Sequence, residues 1–347
     1  MSTNDHYVII GNGPAGNRAA DTLRDRDPHA RISILTDEPM LFYYKHKLTR
    51  FMAGEIAQDK LVARTLDSYK HKNIRLRVNN VVERIDSMEK TLCLAHMEKI
   101  RYTKLIIASG SRPGLPDTML PFAPHISLIS SFSDIQRLKA RITAAQSFFI
   151  LGGDLVGFDV LNALRTMGKT VSFLLQPRAF WPFTLDEAMT RDIMANLAPL
   201  GITPLTGDSV TAIEPEKDGY QVTLAQGTRT KVDMVMAFPG LTPNAGFALG
   251  SGIDVDHGIL VNEHLKTNLD DIYACGSCAQ IFNPRLKTYT TSVGWQNALV
   301  QGEVAAQNLL GGSAAAEPAP QDYFEVQGVK IKTSWWDVQD LKGELQS

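Results

Sequence analysis

Apolar residues along this chain come in short runs that break at glycine, and the breaks repeat. Tyr7-Val8-Ile9-Ile10 predicts a buried strand that runs straight into Gly11-Asn12-Gly13-Pro14-Ala15-Gly16. Beyond the glycines, Ala19, Ala20 and Leu23 fall at helical spacing. Arg31-Ile32-Ser33-Ile34-Leu35 predicts a second strand, which ends at Asp37-Glu38. Leu105-Ile106-Ile107 is a further buried strand leading into Ala108-Ser109-Gly110-Ser111-Arg112-Pro113. Proline and glycine punctuation then carries the chain to Pro124, as at a domain crossing. Phe148-Phe149-Ile150-Leu151 opens a second copy, with Gly152-Gly153-Asp154-Leu155-Val156-Gly157 as its turn. A helical stretch (Val160, Leu161, Leu164, Met167) and the strand 171–175 follow, and Gly152 and Gly157 are equally displaced from Gly11 and Gly16. Residues 234–238 and 272–274 read as strands, and a long helical pattern runs from about Ser292 to Leu310. Residues 311–320 read as a flexible linker. The tail alternates like two short strands, 323–326 and 329–331, with Trp335 and Trp336 after them.

A strand, a G-x-G-x-x-G turn and a helix start, in that order, form a phosphate cradle. Gly11 permits the tight turn, Gly13 lets backbone approach a pyrophosphate, and Gly16 lets the helix sit close on the strand. The helix N-terminus adds unpaired N–H groups and a positive dipole end. Asp37-Glu38 stands where a carboxylate meets a ribose hydroxyl. Two such units in one chain are far more specific than one, and they suggest a flavin dinucleotide on the first and a nicotinamide dinucleotide held, or once held, by the second.

Composition narrows this further. At 347 residues the chain has room for two or three domains, and a net charge of −2 gives no global field favouring nucleic acid or anionic membrane. The polar start Met1-Ser-Thr-Asn-Asp-His shows no signal-peptide pattern, and no apolar run is long enough to span a bilayer. Cys93, Cys275 and Cys278 are too few for a disulfide framework, and no metal-ligating set is expected. A cytoplasmic protein that binds neither nucleic acid nor membrane is the expectation. The bases of residues 60–104 (Arg64, Lys70, Lys72, Arg75, Arg77, Arg84) read chiefly as solvated surface, with a docking face for an acidic partner as the other reading.

These motifs together resemble the FAD/NAD(P)-dependent pyridine nucleotide-disulfide oxidoreductase superfamily, and within it the rubredoxin reductase and nitrite reductase flavin-domain branch. The resemblance rests on V-I-I-G-N-G-P-A-G, D-E-P followed by F-Y-Y-K-H-K-L and A-G-E, K-L-I-I-A-S-G-S-R-P, the second glycine motif, F-P-G-L-T-P-N and T-N-L-D-D-I-Y-A-C-G-S. It covers roughly 1–315. It implies an α/β fold of two Rossmann-like three-layer dinucleotide-binding domains, the second inserted into the first. The expected boundaries are 1–122 and 241–315 for the FAD-binding domain, 123–240 for the NAD(P)-binding-like domain, and 321–347 for a truncated C-terminal segment. Relatives usually carry a larger sheet-rich third domain there, so their dimer is not expected to carry over, and Trp335 and Trp336 either cover the flavin domain or form an interaction patch.

By position, the resemblance assigns Gly11, Gly13, Pro14, Ala15 and Gly16 to the FAD pyrophosphate and Glu38 to the adenosine ribose. Lys45 stands where the family commonly has an FAD-contacting Arg; the change loses a flat fork and keeps the charge. Val81, Ser109, Gly110, Arg112, Gly276 and Ser277 complete the cofactor-binding set, with Ser277 in the place of a ribityl-contacting Asp. That change is expected to cost about 1 kcal/mol of FAD binding. The helix near Ser292 would point its positive end at the flavin pyrimidine edge. Trp295 reads as core packing or as a flavin cover. Asp159 stands where the family has an acid that pairs with a base near the flavin, and Lys47 is the candidate base. His46 replaces a common family Pro and is given no role.

The second unit departs from the pattern. Gly152, Gly153 and Gly157 keep the turn, but Asp154 replaces the second glycine of the motif. An anionic side chain there obstructs a pyrophosphate, and at an effective dielectric near 20 two unit charges ~4 Å apart repel by roughly 4 kcal/mol, about a thousandfold in affinity. Leu175-Gln176-Pro177-Arg178 offers no carboxylate for a 2′-hydroxyl, although Arg178 would suit a 2′-phosphate. Residues 39–58 contain no Cys, which argues against disulfide chemistry. Cys275 and Cys278 have the spacing of a redox pair but read mainly as small buried residues, with a working dithiol as the other reading. The expected function is an FAD-dependent oxidoreductase moving electrons between NAD(P)H and a small redox protein, rubredoxin- or ferredoxin-like. Its rivals are an FAD-containing electron-transfer subunit that does not use nicotinamide and a catalytically silent scaffold.

Overall fold

The computed structural model describes residues 5–176 and 185–317 and the backbone of 323–326 and 329–332. Arg178, Trp335 and Trp336 lie outside the described residues. The fold is α/β and contains two parallel five-stranded sheets. The opening strand, His6–Ile10, is central to the first: Arg31–Leu35 pairs with one edge and Lys104–Ile107 with the other, both parallel. Ile74–Arg77 and Ile272–Ala274 close the two sides. Chain direction across the sheet therefore reverses at the opening strand, and the crevice this leaves lies beyond Ile10, where the glycine turn begins. Continuous apolar sequence on this strand follows from its position, since Val8 and Ile9 are covered on both faces.

The second sheet repeats the plan. Ser147–Gly152 is flanked by Thr170–Leu175 and Met234–Phe238, with Ile202–Leu205 and Ile126–Ser127 outermost. Each half also carries a three-stranded antiparallel sheet, formed by Val82–Asp86, Thr91–Leu94 and Lys99–Arg101 in one and by Val210–Glu216, Gly219–Leu224 and Arg229–Val232 in the other. The chain leaves the first half through Ser111–Pro113 and returns through Leu241–Pro243, and these two crossings pair with each other antiparallel. Tyr323–Val326 and Val329–Lys332 pair as a hairpin.

Two contacts hold the halves in register. The short helix Leu48–Met52 sits in the first half by sequence, yet Leu48, Phe51, Met52 and Leu61 are buried in the core of the second, where Phe51 stacks on Phe132 at 5.7 Å. Tyr43 reinforces this, because its hydroxyl accepts the Phe132 N–H at 3.2 Å. The closing helix, Trp295–Leu309, packs against the opening helix, Pro14–Arg26, and Arg18 pairs with Glu303 across the seam. The approach is closest at Gly302, where a Cβ would lie 2.2 Å from the Ala15 carbonyl oxygen.

Gly302→Ala must therefore push the two helices apart at the base of the glycine turn. Overpacking of this kind costs about 1–3 kcal/mol. Equilibrium urea denaturation is expected to show a lowered midpoint for Gly302→Ala, whereas Gln296→Ala, exposed on the same helix, should stay within about 0.5 kcal/mol of the parent. An unchanged midpoint for Gly302→Ala would refute the contact.

Candidate functional site

The opening turn is tightly specified. Gly11 has φ +115°, and a Cβ on it would fall 2.0 Å from the Ala108 carbonyl oxygen at the end of the neighbouring strand. Gly13 is different: it caps the opening helix in extended conformation, no side chain bonds the helix end, and a Cβ there would meet nothing within 4 Å. The first helical turn carries no acidic residue. Backbone N–H groups thus face open space at the positive end of a helix, an arrangement that suits an anion.

Beneath the turn lies a polar network that the sequence reading missed. Asn17 is buried, and its Nδ2 donates to the Asn12 Oδ1 at 2.9 Å and to the Gly13 carbonyl at 3.1 Å. The Tyr69 hydroxyl reaches Asn17 Oδ1 at 2.9 Å, and Arg64 Nη1 donates to the same oxygen at 3.3 Å. Arg64 was expected at the solvated surface with its neighbouring bases. It is instead 8% exposed, paired with Asp21 at 3.1 Å and stacked over the Tyr69 ring at 4.3 Å. No periodic signal marks it, because two of its partners, Asn17 and Asp21, come from the opening helix, more than forty residues earlier.

Around the turn, several of the predicted residues converge. Glu38, just past the second strand, accepts from the Tyr43 hydroxyl at 2.7 Å and lies 3.6 Å from Lys45 Nζ. Burial, followed by the charge and hydrogen bond of Glu38, holds the Tyr43 hydroxyl well above its ordinary pKa. The loop before Val81 returns to the same strand, since the Asn80 N–H bonds the Thr36 carbonyl at 2.8 Å and the Asn79 N–H bonds Glu38 at 3.2 Å; Val81 itself is exposed. Ser109 and Gly110 follow the Lys104–Ile107 strand, and Gly276 and Ser277 follow its neighbour, Ile272–Ala274. Ser277 Oγ donates to Ser111 Oγ at 3.0 Å, Ser109 Oγ donates to the Asn244 carbonyl at 2.6 Å, and the Gly276 N–H is held by Gln301 at 2.8 Å. Arg112 is exposed at the chain crossing. Cys275 and Cys278 are fully buried, with both thiols pushed up by burial, and Cys278 Sγ donates to the Cys275 carbonyl. Such an environment suppresses thiolate formation.

The closing helix starts at Gly294, again with no side-chain cap. Its first residue, Trp295, is half-buried and stacks on Phe42 at 5.3 Å, with Tyr44 and His46 within 5.6 Å. His46, given no role from sequence, is thus part of an aromatic cluster. The expected pairing of Lys47 with Asp159 is not formed. Lys47 Nζ lies over the Tyr44 ring at 4.1 Å, and no ion pair joins it to Asp159 among the described residues. The aromatic face captures the ammonium group.

In the second unit the turn has the same backbone and a different occupant. Gly152 has φ +100°, and a Cβ there would meet the Phe238 carbonyl oxygen at 2.0 Å, as Gly11 meets Ala108. Asp154 caps the helix Leu155–Thr166, and its Oδ1 accepts the Gly157 N–H at 2.9 Å. The carboxylate expected to obstruct a pyrophosphate is turned in toward the helix end, where it bonds the backbone. Burial raises the Asp154 carboxyl to about 6, against the opposing pull of the Gly157, Val156 and Gly240 N–H groups. Crowding by protein, then the nearby Asp154 charge, pushes Asp159 up to about 6, although Asp159 retains a solvent-exposed surface that screens this effect.

No helix among the described residues is long and apolar enough to cross a membrane. Residues 5–302 match the family model described as pyridine nucleotide-disulphide oxidoreductase. The chain is 29% identical to the NADH-rubredoxin oxidoreductase of Clostridium acetobutylicum over 96% of this chain and 82% of that protein. It is 28% identical to the putidaredoxin reductase of Pseudomonas putida, over 95% and 81% respectively. Putidaredoxin reductase in its covalent complex with putidaredoxin superimposes with a TM-score of 0.84 at 26% identity, covering 95% of this chain and 81% of that one. Two glycine turns on two parallel sheets, matched along nearly the whole described length, establish that this chain belongs to the pyridine nucleotide-disulphide oxidoreductase family, whose members are FAD-dependent NAD(P)H oxidoreductases.

Proposed function

We propose that this protein is an FAD-dependent oxidoreductase that moves electrons between NAD(P)H and a small redox carrier protein of the rubredoxin or ferredoxin kind. The observation that carries the reading is the open helix N-terminus at Gly13, which no side chain caps and where a Cβ would meet nothing within 4 Å. The residues present fit FAD. Gly11, Gly13, Pro14, Ala15 and Gly16 would hold its pyrophosphate, and Glu38, fixed by Tyr43 and Lys45, would accept from the adenosine ribose. Val81, Ser109, Gly110 and Arg112 would line the cofactor's course toward Gly276 and Ser277 at the ribityl chain. When bound, FAD supplies the redox chemistry, taking a hydride and releasing electrons to the carrier. The uncapped start of the closing helix would favour negative charge at the flavin's pyrimidine edge, with Trp295 beside it. Names of the relatives, rubredoxin and putidaredoxin reductases, support the choice of partner.

A second reading keeps the flavin and drops nicotinamide: an electron-transfer subunit that trades electrons with protein partners alone. Asp154 at the second turn favours it.

Gly13→Asp would give the first turn the same obstruction that the second has. Purified wild-type protein is expected to carry a flavin spectrum at one FAD per chain. Gly13→Asp should emerge colourless and resist reconstitution, with FAD binding weakened by roughly 100-fold or more. Undiminished FAD binding by Gly13→Asp would overturn the assignment. Ser277→Asp should tighten FAD roughly fivefold, since a charge-assisted hydrogen bond exceeds a neutral one by about 1 kcal/mol. Fluorescence titration of the apoprotein with FAD measures both.

A further inference from the structure

The two turns of this protein are near-copies in backbone. Gly13 has φ −84° and ψ −170°, and Asp154 has φ −66° and ψ 175°, each at the N-cap of the helix after the central strand. The flanking glycines match too, since Gly11 and Gly152 share positive φ and abut a carbonyl of the adjoining strand at the same distance. What differs is what sits on the helix end. At Gly13 it is open space; at Asp154 it is the chain's own carboxylate, 5% exposed and hydrogen-bonded to the Gly157 N–H. A dinucleotide's pyrophosphate uses these same backbone donors. Gly153 packs tightly on the neighbouring strand, since a Cβ there would lie 2.7 Å from Leu175 Cδ1 and 3.0 Å from Phe173 Cζ. Asp159, five residues on in the same helix, is a second acid close enough to feel the Asp154 charge.

We infer that Asp154 is the specificity-determining residue of the inserted unit: its carboxylate stands in for the pyrophosphate, so a nicotinamide dinucleotide binds only by displacing it. This rests on reading the inserted unit as a dinucleotide site. The carboxylate must give up its backbone hydrogen bond before a phosphate takes it, and if it stays close its charge opposes the incoming anion. Asp154→Gly removes both obstacles without straining the chain, because the opening turn already places glycine in this conformation. Glycine at an N-cap also costs a helix only a few tenths of a kcal/mol against aspartate.

The test is isothermal titration of the full-length, FAD-loaded protein with NADH, NADPH and ADP-ribose at neutral pH. ADP-ribose carries the pyrophosphate without the redox group, so its binding reads the second turn alone. Wild type is expected to bind all three weakly, with Asp154→Gly binding roughly 100-fold tighter or more. Asp154→Asn, which keeps the cap and loses the charge, should gain less. If Asp154→Gly gives no gain in ADP-ribose affinity, the proposal is overturned. Should that variant fail to fold, Asp154→Asn decides in the same way: tighter binding supports the inference and unchanged binding overturns it. Absence of bound FAD would instead sink the proposed function; on the FAD-free chain ADP-ribose also meets the open first turn, so there the second turn is read as the difference between Asp154→Gly and wild type, which share that first turn.

Discussion

The first N–H groups of a helix have no partner within the helix, and something outside must accept from them. This protein answers that need twice, in two ways. At the opening helix the groups are left uncapped by any side chain, beside a glycine whose missing Cβ leaves room. At the second-unit helix an aspartate folds back and accepts from one of them, the Gly157 N–H. An open donor set is costly unless water or a ligand meets it, whereas a capped one stabilises the fold by itself. The same topology has thus produced one turn suited to an external anion and one that supplies its own.

The open turn depends on the packing around it. Gly302 lets the closing helix reach the Ala15 carbonyl, which fixes where the opening helix begins. Asn17, Arg64 and Tyr69 hold the turn from below through Asn12 and the Gly13 carbonyl. Arg64 is a cation brought out of water, and it is tolerated because Asp21, Asn17 and an aromatic face surround it. On the other side, Tyr43 joins Glu38, just past the second strand, to Phe132 in the second half. One phenol therefore couples the position of the Glu38 carboxylate to the docking of the inserted unit.

The aromatic cluster brings Trp295 onto Phe42, Tyr44 and His46, about 250 residues earlier in the chain, and Lys47 lies over one of its rings. A lysine near an acid and a lysine over a ring are both ordinary outcomes, and here the ammonium group lies over the ring. Cys275 and Cys278 show the same dependence on surroundings. Their spacing suits a redox pair, but complete burial disfavours the thiolate that such chemistry needs.

The amino-acid sequence by itself determined the two strand–glycine–helix units, since period, apolar run and turn residue are all local properties. It also determined the family resemblance and the departure at Asp154, each visible as residues in order. What it left open were the partners of side chains: Arg64 beneath the turn, Gly302 at the helix seam, Lys47 on Tyr44, and the direction taken by the Asp154 carboxylate. Some of those depend on atoms far away in the chain, such as the Ala15 carbonyl for Gly302 and Asp21 for Arg64, and others on which of several near neighbours the fold brings within reach, such as Tyr44 for Lys47 and the Gly157 N–H for Asp154. Local pattern places a side chain on a face, but only the packed structure supplies the donor, the ring or the empty space that it meets.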